Sequence, residues 1–316
     1  MKVISTSPSF AKYDRQPIAD LEKQGLDLVA LPADAPLNAL IPHLQDAVAM
    51  IVAFTEVNEA LLAHAPHLKI VCKHGVGVDN IDLIATKKRN IFVTNVPNAN
   101  KHAVADFAFS LLLNCARKIS QAEKQTRAGQ WPRIFATDAY GKTLGIVGLG
   151  NIGKQVALRA QGFNMRVLAY DFYPDSDFAE KHNIEFVSLD ELTRQSDFIT
   201  LHTPLTAETH HLFDADRIGK MKKNAYLINV SRGGVVDEQA LYHALSGQKI
   251  SGAAADVFEE EPVKDHPLFS LDNFIPTSHI AGYTDGAINA IGIHCVEQII
   301  NHVIHHQRPL NIMNDL

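Results

Sequence analysis

A chain of 316 residues with 46% hydrophobic content and a formal net charge of −6 carries enough apolar material for two folded domains. That balance argues against intrinsic disorder and against a nucleic-acid polyanion as partner. No apolar stretch approaches a membrane span, and Pro8 with its polar neighbours interrupts the N-terminus before a secretion signal could form, so a soluble cytoplasmic protein is expected. In chain order, Val3–Ser5, Leu26–Leu31, Met50–Ala53, Ile70–Lys73 and Ile91–Thr94 read as short strands. Helix-like segments lie around Ile18–Gln24, Glu59–Ala65 and Ile81–Lys88. This alternation predicts a parallel sheet with helices on both faces.

From Asn98 to Arg117 the pattern becomes one long helix, apolar on too many sides between Ala103 and Cys115 for a surface element. Burial between domains or against a partner subunit is expected. Ala122–Tyr140, with Trp131 and Pro132, reads as an extended arm or loop. A second alternating series then predicts six strands, at Leu144–Val147, Met165–Tyr170, Phe198–His202, Ala225–Val230, Ile250–Asp256 and Phe274–Ser278. That suits a doubly wound dinucleotide fold. A last helix, about Thr284 to His306, carries the chain back to the first domain. Cys72, Cys115 and Cys295 are far apart in apolar sequence, which fits buried thiols and not a disulfide framework or a zinc site.

The first strand of the second series runs into Gly148, Gly150 and Gly153, in G-x-G-x-x-G spacing, and then into a helical pattern from Lys154 to Phe163. One glycine permits the tight turn, one lets a pyrophosphate approach the backbone, and one lets helix and strand pack closely. The phosphates would sit on the helix N-terminus. Asp171 ends the next strand about 20 residues further on, where a carboxylate binds ribose hydroxyls and repels a 2′-phosphate. No arginine follows it among Phe172, Tyr173 and Pro174, so NAD is favoured over NADP.

Three later strand ends carry chemistry. Arg232 follows Leu227–Ser231 directly and is followed by Gly233 and Gly234. Ligands of open α/β sheets bind outside the carboxyl ends of the strands. A guanidinium there clamps a carboxylate, although a surface arginine capping a loop has the same sequence appearance. Gly252–Pro262 contains Asp256 and the acidic run Glu259, Glu260 and Glu261, which alone reads as a solvated loop. His279 stands out among 16 histidines because it follows a strand end and precedes Gly282. A nearby carboxylate would hold its tautomer.

The glycine motif with Asp171, the segment Asn229–Gly233, the segment Asp256–Pro262 and the segment His279–Gly282 resemble, in order and spacing, the D-isomer-specific 2-hydroxyacid dehydrogenases. Over about Val71–Thr284 the chain is most similar to the phosphoglycerate dehydrogenase and hydroxypyruvate/glyoxylate reductase branches. The resemblance implies two doubly wound parallel-sheet α/β domains. A Rossmann NAD-binding domain, residues 98–284, would be inserted into a flavodoxin-like substrate domain, residues 1–97 and 285–316. It also implies NAD as cofactor, a small 2-hydroxy/2-oxo acid as substrate, and a homodimer with no metal. Phosphoglycerate dehydrogenase-like activity is the narrow reading, with hydroxypyruvate/glyoxylate reductase as its alternative.

Carried over to this sequence, Arg232 binds the carboxylate and carbonyl oxygen of the 2-oxo acid, His279 transfers the proton, and Glu261 pairs with His279. Asp256 stands beside the nicotinamide. Backbone N–H groups at Val76 and Gly77 receive the carboxylate, and His202, Thr203 and Pro204 wall the adenine pocket. Asn151, Ile152, Val230 and Gly282 complete the implied coenzyme contacts. Asn95–Asn100 resembles the hinge into the dinucleotide domain. Departures bear on the substrate. Ala53, Phe54 and Thr55 stand where phosphoglycerate enzymes carry an arginine, Asn98 replaces a glycine, Asp106 a glutamate and Ser278 a proline. Arg133, beside Trp131, is a further cation for a phosphate or a neighbouring subunit, or simply solvated. With Leu316 the final residue, serine control through a C-terminal extension is not expected. Two rival readings share the fold: a non-catalytic NAD-sensing protein, and formate dehydrogenase, whose glutamine before the histidine is replaced here by Thr277 and Ser278.

Overall fold

The computed structural model describes residues 1–316. The chain divides into two compact units, Met1–Asn100 with Tyr283–Leu316, and Lys101–Gly282. The first unit is built on β1 (Lys2–Ser5), β2 (Asp27–Ala30), β3 (Ala47–Val52), β4 (Ile70–Lys73) and β5 (Phe92–Thr94). All pairs are parallel, in the order β2-β1-β3-β4-β5. The strands read as unbroken apolar runs because both faces are covered. Alternate residues then go to opposite layers. Ile4, Met50, Val52 and Val71 pack with Leu40, Leu44, Leu61 and Leu62 on one side. Val3, Ala49, Ile51, Ile70 and Cys72 pack with Leu21, Ile291, Cys295 and Ile299 on the other. The helix Leu37–Leu44 went unpredicted because Pro42 interrupts its pattern. The C-terminal tail covers the edge strand: Met313 N–H donates to Val93 O at 2.8 Å, and the Asn314 amide oxygen accepts from Val93 N–H at 3.2 Å.

The second unit holds β6 (Thr143–Val147), β7 (Arg166–Tyr170), β8 (Ile184–Phe186), β9 (Phe198–Leu201), β10 (Tyr226–Asn229), β11 (Gly252–Ala255) and β12 (Phe274–Pro276). Their order is β12-β11-β10-β9-β6-β7-β8, all parallel. There are seven strands where six were expected. The missed one, β8, spans three residues and exposes Glu185 at its centre, so it leaves no readable apolar run. Chain order reverses between β6 and β9, which makes that point the switch where a doubly wound sheet binds its ligand. A parallel sheet also delivers the carboxyl ends of β6, β9, β10, β11 and β12 to one edge. Gly148, His202, Arg232, Asp256 and His279 all follow such ends.

Two helical expectations change. The helix Lys101–Arg117 is buried, but against its own unit: Val104, Ala108, Phe109, Leu111, Leu112 and Cys115 share a core with Ile146, Val156, Ala160, Tyr226 and Ala254. Its width of apolar surface is used by one sheet and one neighbouring helix, so no partner subunit is needed to explain it. The stretch read as an arm begins as the helix Ile119–Arg127, and only the residues after it are irregular. That helix buries no residue, so its sequence carries no apolar stripe to read. No helix is long and apolar enough to cross a membrane.

Candidate active site

After β6 the chain turns at Gly148, with a left-handed φ of +94°. A Cβ there would lie 2.9 Å from the carbonyl of His202, at the end of β9. Gly153 packs on the turn itself, since a Cβ would come within 2.1 Å of Gly148 O. Gly150 differs: a Cβ there would meet no protein atom within 4 Å. It is the N-cap of the helix Asn151–Gln161 and offers no side-chain cap. The first N–H groups of that helix and its positive dipole end therefore lie beside open space. Asp171 is clamped next to the turn, one oxygen accepting from Leu149 N–H at 2.7 Å and the other from Tyr173 N–H at 2.9 Å.

At the end of β9, His202 Nε2 meets Thr200 Oγ1 at 2.9 Å. Its Nδ1 and the Thr203 hydroxyl are enclosed without a hydrogen-bond partner. Burial pushes the His202 imidazole down to about 3, so the ring is neutral at neutral pH. Pro204 is exposed beside it, and Val230 is buried past the end of β10. Buried polar atoms normally have partners, so two orphans at the switch point mark a place where a ligand completes the structure. An open glycine, an uncapped helix N-terminus and a carboxylate suit the pyrophosphate and ribose of a dinucleotide.

The reactive side chains come from β10, β11 and β12. Asn229 folds the chain back on itself: its Oδ1 accepts the N–H and the hydroxyl of Ser231 at 3.1 and 2.8 Å, and its Nδ2 donates to Arg232 O at 2.8 Å. Arg232 is half-buried and donates from Nη1 to Ser231 O at 2.7 Å. A Cβ on Gly233 would stand 1.9 Å from the carbonyl carbon of Phe258, so only glycine lets this turn close against the segment after β11.

Asp256 opens that segment and is 1% exposed. Its carboxylate accepts from the Thr277 hydroxyl at 2.6 Å and from Ile280 and Ala281 N–H at 3.0 and 2.8 Å, while its carbonyl accepts His279 N–H at 2.8 Å. Asp256, expected beside the nicotinamide, is buried and holds the loop after β12. That loop needs holding. His279 has a φ of +57°, a left-handed backbone that costs a residue with a Cβ about 1–2 kcal/mol.

His279 Nδ1 meets Glu261 Oε2 at 2.7 Å, and Glu261 Oε1 accepts Phe258 N–H at 2.9 Å. Burial pushes the Glu261 carboxyl up. The hydrogen bond and charge of His279, the Phe258 N–H and the charge of Arg232 outweigh it and hold the group below its ordinary 4.5. Glu261 is therefore ionised at neutral pH. Glu259 pairs with His211 at 2.7 Å and takes no part in this contact. Gly282, half-buried, ends the His279 loop and the second unit.

In the first unit, the loop after β4 carries Val76 and Gly77. Asn95 Nδ2 donates to Val76 O at 2.7 Å and Val96 N–H to Gly75 O at 2.9 Å, so the loop's carbonyls face inward while Val76 stays 37% exposed. Lys73 reaches the Ala53 carbonyl and donates to Asn80 Oδ1 at 2.6 Å, and Asn80 Nδ2 donates to Thr55 O at 2.6 Å. The ends of β3 and β4 are thereby tied together. Lys73, Asn80, Asn229 and Thr277 escaped sequence reasoning as positioning residues. Lysine, threonine and asparagine are common at strand ends and carry no periodic signal.

The profile of the family described as "D-isomer specific 2-hydroxyacid dehydrogenase, NAD binding domain" matches residues 109–281. The chain is 43% identical over 279 residues to D-3-phosphoglycerate dehydrogenase of Methanocaldococcus jannaschii, covering 87% of this chain and 53% of that protein, about half its length. It is 43% identical over 264 residues to glyoxylate reductase of Pyrococcus horikoshii, covering 80% of this chain and 79% of the other. Among solved structures, D-lactate dehydrogenase of Aquifex aeolicus, complexed with NAD and lactic acid, superposes with a TM-score of 0.84 at 31% identity over 100% of both chains. With the doubly wound sheet and the strand-end geometry above, these matches place the chain in the D-isomer-specific 2-hydroxyacid dehydrogenase family, NAD-dependent oxidoreductases that act on CH–OH donors.

Proposed function

We propose that Arg232, Glu261 and His279 carry the interconversion of a short D-2-hydroxy acid and its 2-oxo acid. The observation behind this reading is the 2.7 Å contact between His279 Nδ1 and Glu261 Oε2, on the same sheet edge as Arg232. Bound NADH supplies a hydride to C2 of the oxo acid. Arg232 pairs with the substrate carboxylate and steadies the growing charge on the carbonyl oxygen. With Nδ1 on Glu261, His279 donates a proton to that oxygen from Nε2, and takes it back in the oxidative direction. The ionised Glu261 carboxylate orients the ring and stabilises its positive charge. On the first unit, Val76 and Gly77 offer backbone N–H donors to a carboxylate. Gly148, Gly150, Gly153 and Asp171, with Asn151, Ile152, His202, Thr203 and Pro204, hold the coenzyme.

The substrate is a small 2-oxo acid of the hydroxypyruvate or glyoxylate class. Ala53, Phe54 and Thr55 follow β3 with no arginine among them, and Phe54 is 47% exposed. A phosphoglycerate-type substrate is the second reading, supported by the 43% identity to the Methanocaldococcus jannaschii dehydrogenase. We further assign the protein to the cytoplasm, where three buried free thiols stay reduced. A homodimer is proposed because Trp131 and Phe135, 78% and 87% exposed, stand on the irregular stretch after the helix Ile119–Arg127. Sedimentation showing only monomer contradicts it. NADH oxidation measured against hydroxypyruvate, glyoxylate, pyruvate and phosphohydroxypyruvate tests the substrate reading. Turnover on the first two is expected. Turnover confined to the phosphorylated acid supports the second reading, and tight NADH binding without turnover on any acid supports a sensor instead.

A further inference from the structure

Glu261 lies on an irregular stretch after β11, so something other than regular secondary structure must fix it. Glu238, the first residue of the helix Glu238–Ser246, meets that stretch at two points. Its Oε1 accepts Glu259 N–H at 2.9 Å, and its Oε2 meets His266 Nε2 at 2.9 Å. Leu268 N–H donates to His266 Nδ1 at 3.2 Å. A ring nitrogen that accepts carries no proton, which places the hydrogen of a neutral His266 on Nε2, aimed at Glu238. Both side chains are largely enclosed, 17% and 19% exposed. The rings of Phe258 and Phe269 flank His266 at 5.8 and 5.6 Å.

These two attachments bracket Glu261 on the chain. The helix that begins with Glu238 follows directly on the 3₁₀ turn Gly233–Val235, hence on Arg232. One carboxylate therefore joins the segment of Arg232 to the segment of Glu261. A second tie runs the same way, through Gly233 against the Phe258 backbone.

We infer that Glu238 and His266 form a positioning pair that sets the Glu261 carboxylate against His279 and Arg232. This rests on the proposal that Glu261 and His279 manage the proton. The pair is not catalytic in itself. Its effect reaches the reaction through the Glu261 contact, so a displaced Glu261 leaves the His279 ring without the partner that orients it. The charged and titratable groups concerned are His279 and Arg232 around Glu261, Glu238 and His266 at the brace, and His211 against Glu259.

The test uses the full chain with Glu238→Ala, His266→Ala, His266→Gln and His279→Ala. It compares kcat, KM for the 2-oxo acid and NADH affinity. Glu238→Ala and His266→Ala are expected to lower kcat about tenfold, as small misplacements of a catalytic group do. NADH affinity and KM for the 2-oxo acid should stay within about twofold, so that the loss falls on kcat. His266→Gln retains an N–H for Glu238 and should recover most of kcat. The double variant should be no worse than either single one, because the two act as a unit. A folded Glu238→Ala with normal kcat overturns the inference. So does a loss of kcat that follows thermal stability and NADH affinity, or one that His266→Gln shares in full with His266→Ala. If Glu238→Ala does not fold, the His266 pair of variants decides by the same criteria. Near-normal turnover of His279→Ala would instead remove the underlying proton-transfer proposal.

Discussion

His279 occupies a backbone conformation that disfavours any residue with a Cβ, and Asp256 supplies the hydrogen bonds that keep it there. The side chain can then lie against Glu261 at 2.7 Å without further rearrangement. Two predictions belong to this scale. His279→Ala should cut kcat by at least about 10²-fold, the usual contribution of a positioned acid, with NADH affinity nearly unchanged. Asp256→Ala removes the partner of the buried Ala281 N–H, worth roughly 1–3 kcal/mol when left unpaired, and of the Ile280 N–H and Thr277 hydroxyl, so the thermal unfolding temperature should drop and turnover with it. The sequence made Arg232 and His279 legible because a strand end followed by glycine leaves a mark. Glu261 stands in an acidic run that alone reads as solvated and was singled out only by the family resemblance. The hold of Asp256 on the His279 loop was not legible, since a buried carboxylate that anchors a loop carries no pattern of its own in the sequence.

Single elements show the same division. The glycine turn can be read in full from its spacing, and the three glycines prove unequal in the structure. Gly150→Ala adds a methyl group to open space, so stability should stay within about 0.5 kcal/mol of wild type. NADH affinity should fall about tenfold, close to 1.4 kcal/mol, if the pyrophosphate approaches there. Calorimetry and NADH titration check the pair, and unchanged affinity would remove the phosphate from that glycine. Gly233→Ala is the opposite case. Its Cβ would meet the Phe258 backbone at 1.9 Å, so a loss of at least about 2 kcal/mol in stability is expected along with activity. Elements escaped prediction where they lack an apolar pattern: β8 is too short, the helix Ile119–Arg127 is wholly surface, and the helix Leu37–Leu44 contains proline.

Across the whole molecule, two enclosed histidines couple folding to pH. Burial, with help from the charge of Lys73, pushes the His74 imidazole down to about 4, and burial alone pushes His202 to about 3. Both would titrate at 6.5 in the unfolded chain. Between those values the unfolded chain binds protons that the folded one refuses, so stability is fully present above 6.5 and declines as pH falls. His74 alone contributes on the order of 3 kcal/mol by pH 4. Denaturant unfolding at pH 7 and pH 5, with His74→Asn as control, should show a smaller pH dependence in the variant. Glu261 adds to the acid side: its carboxyl is held below 4.5, so its contribution persists above that value and is lost below it. Two parallel-sheet units were legible because alternating strands and helices leave few other topologies. Substrate identity was not, because the first seventy residues repeat that rhythm without a chemical motif.

Steady-state NADH oxidation with hydroxypyruvate and glyoxylate, comparing wild type with His279→Ala at matched NADH occupancy, tests whether His279 carries the proton. The wild-type chain should turn over, and the variant should lose about 10²-fold or more with coenzyme still bound. Wild-type turnover matched by the variant would contradict that role.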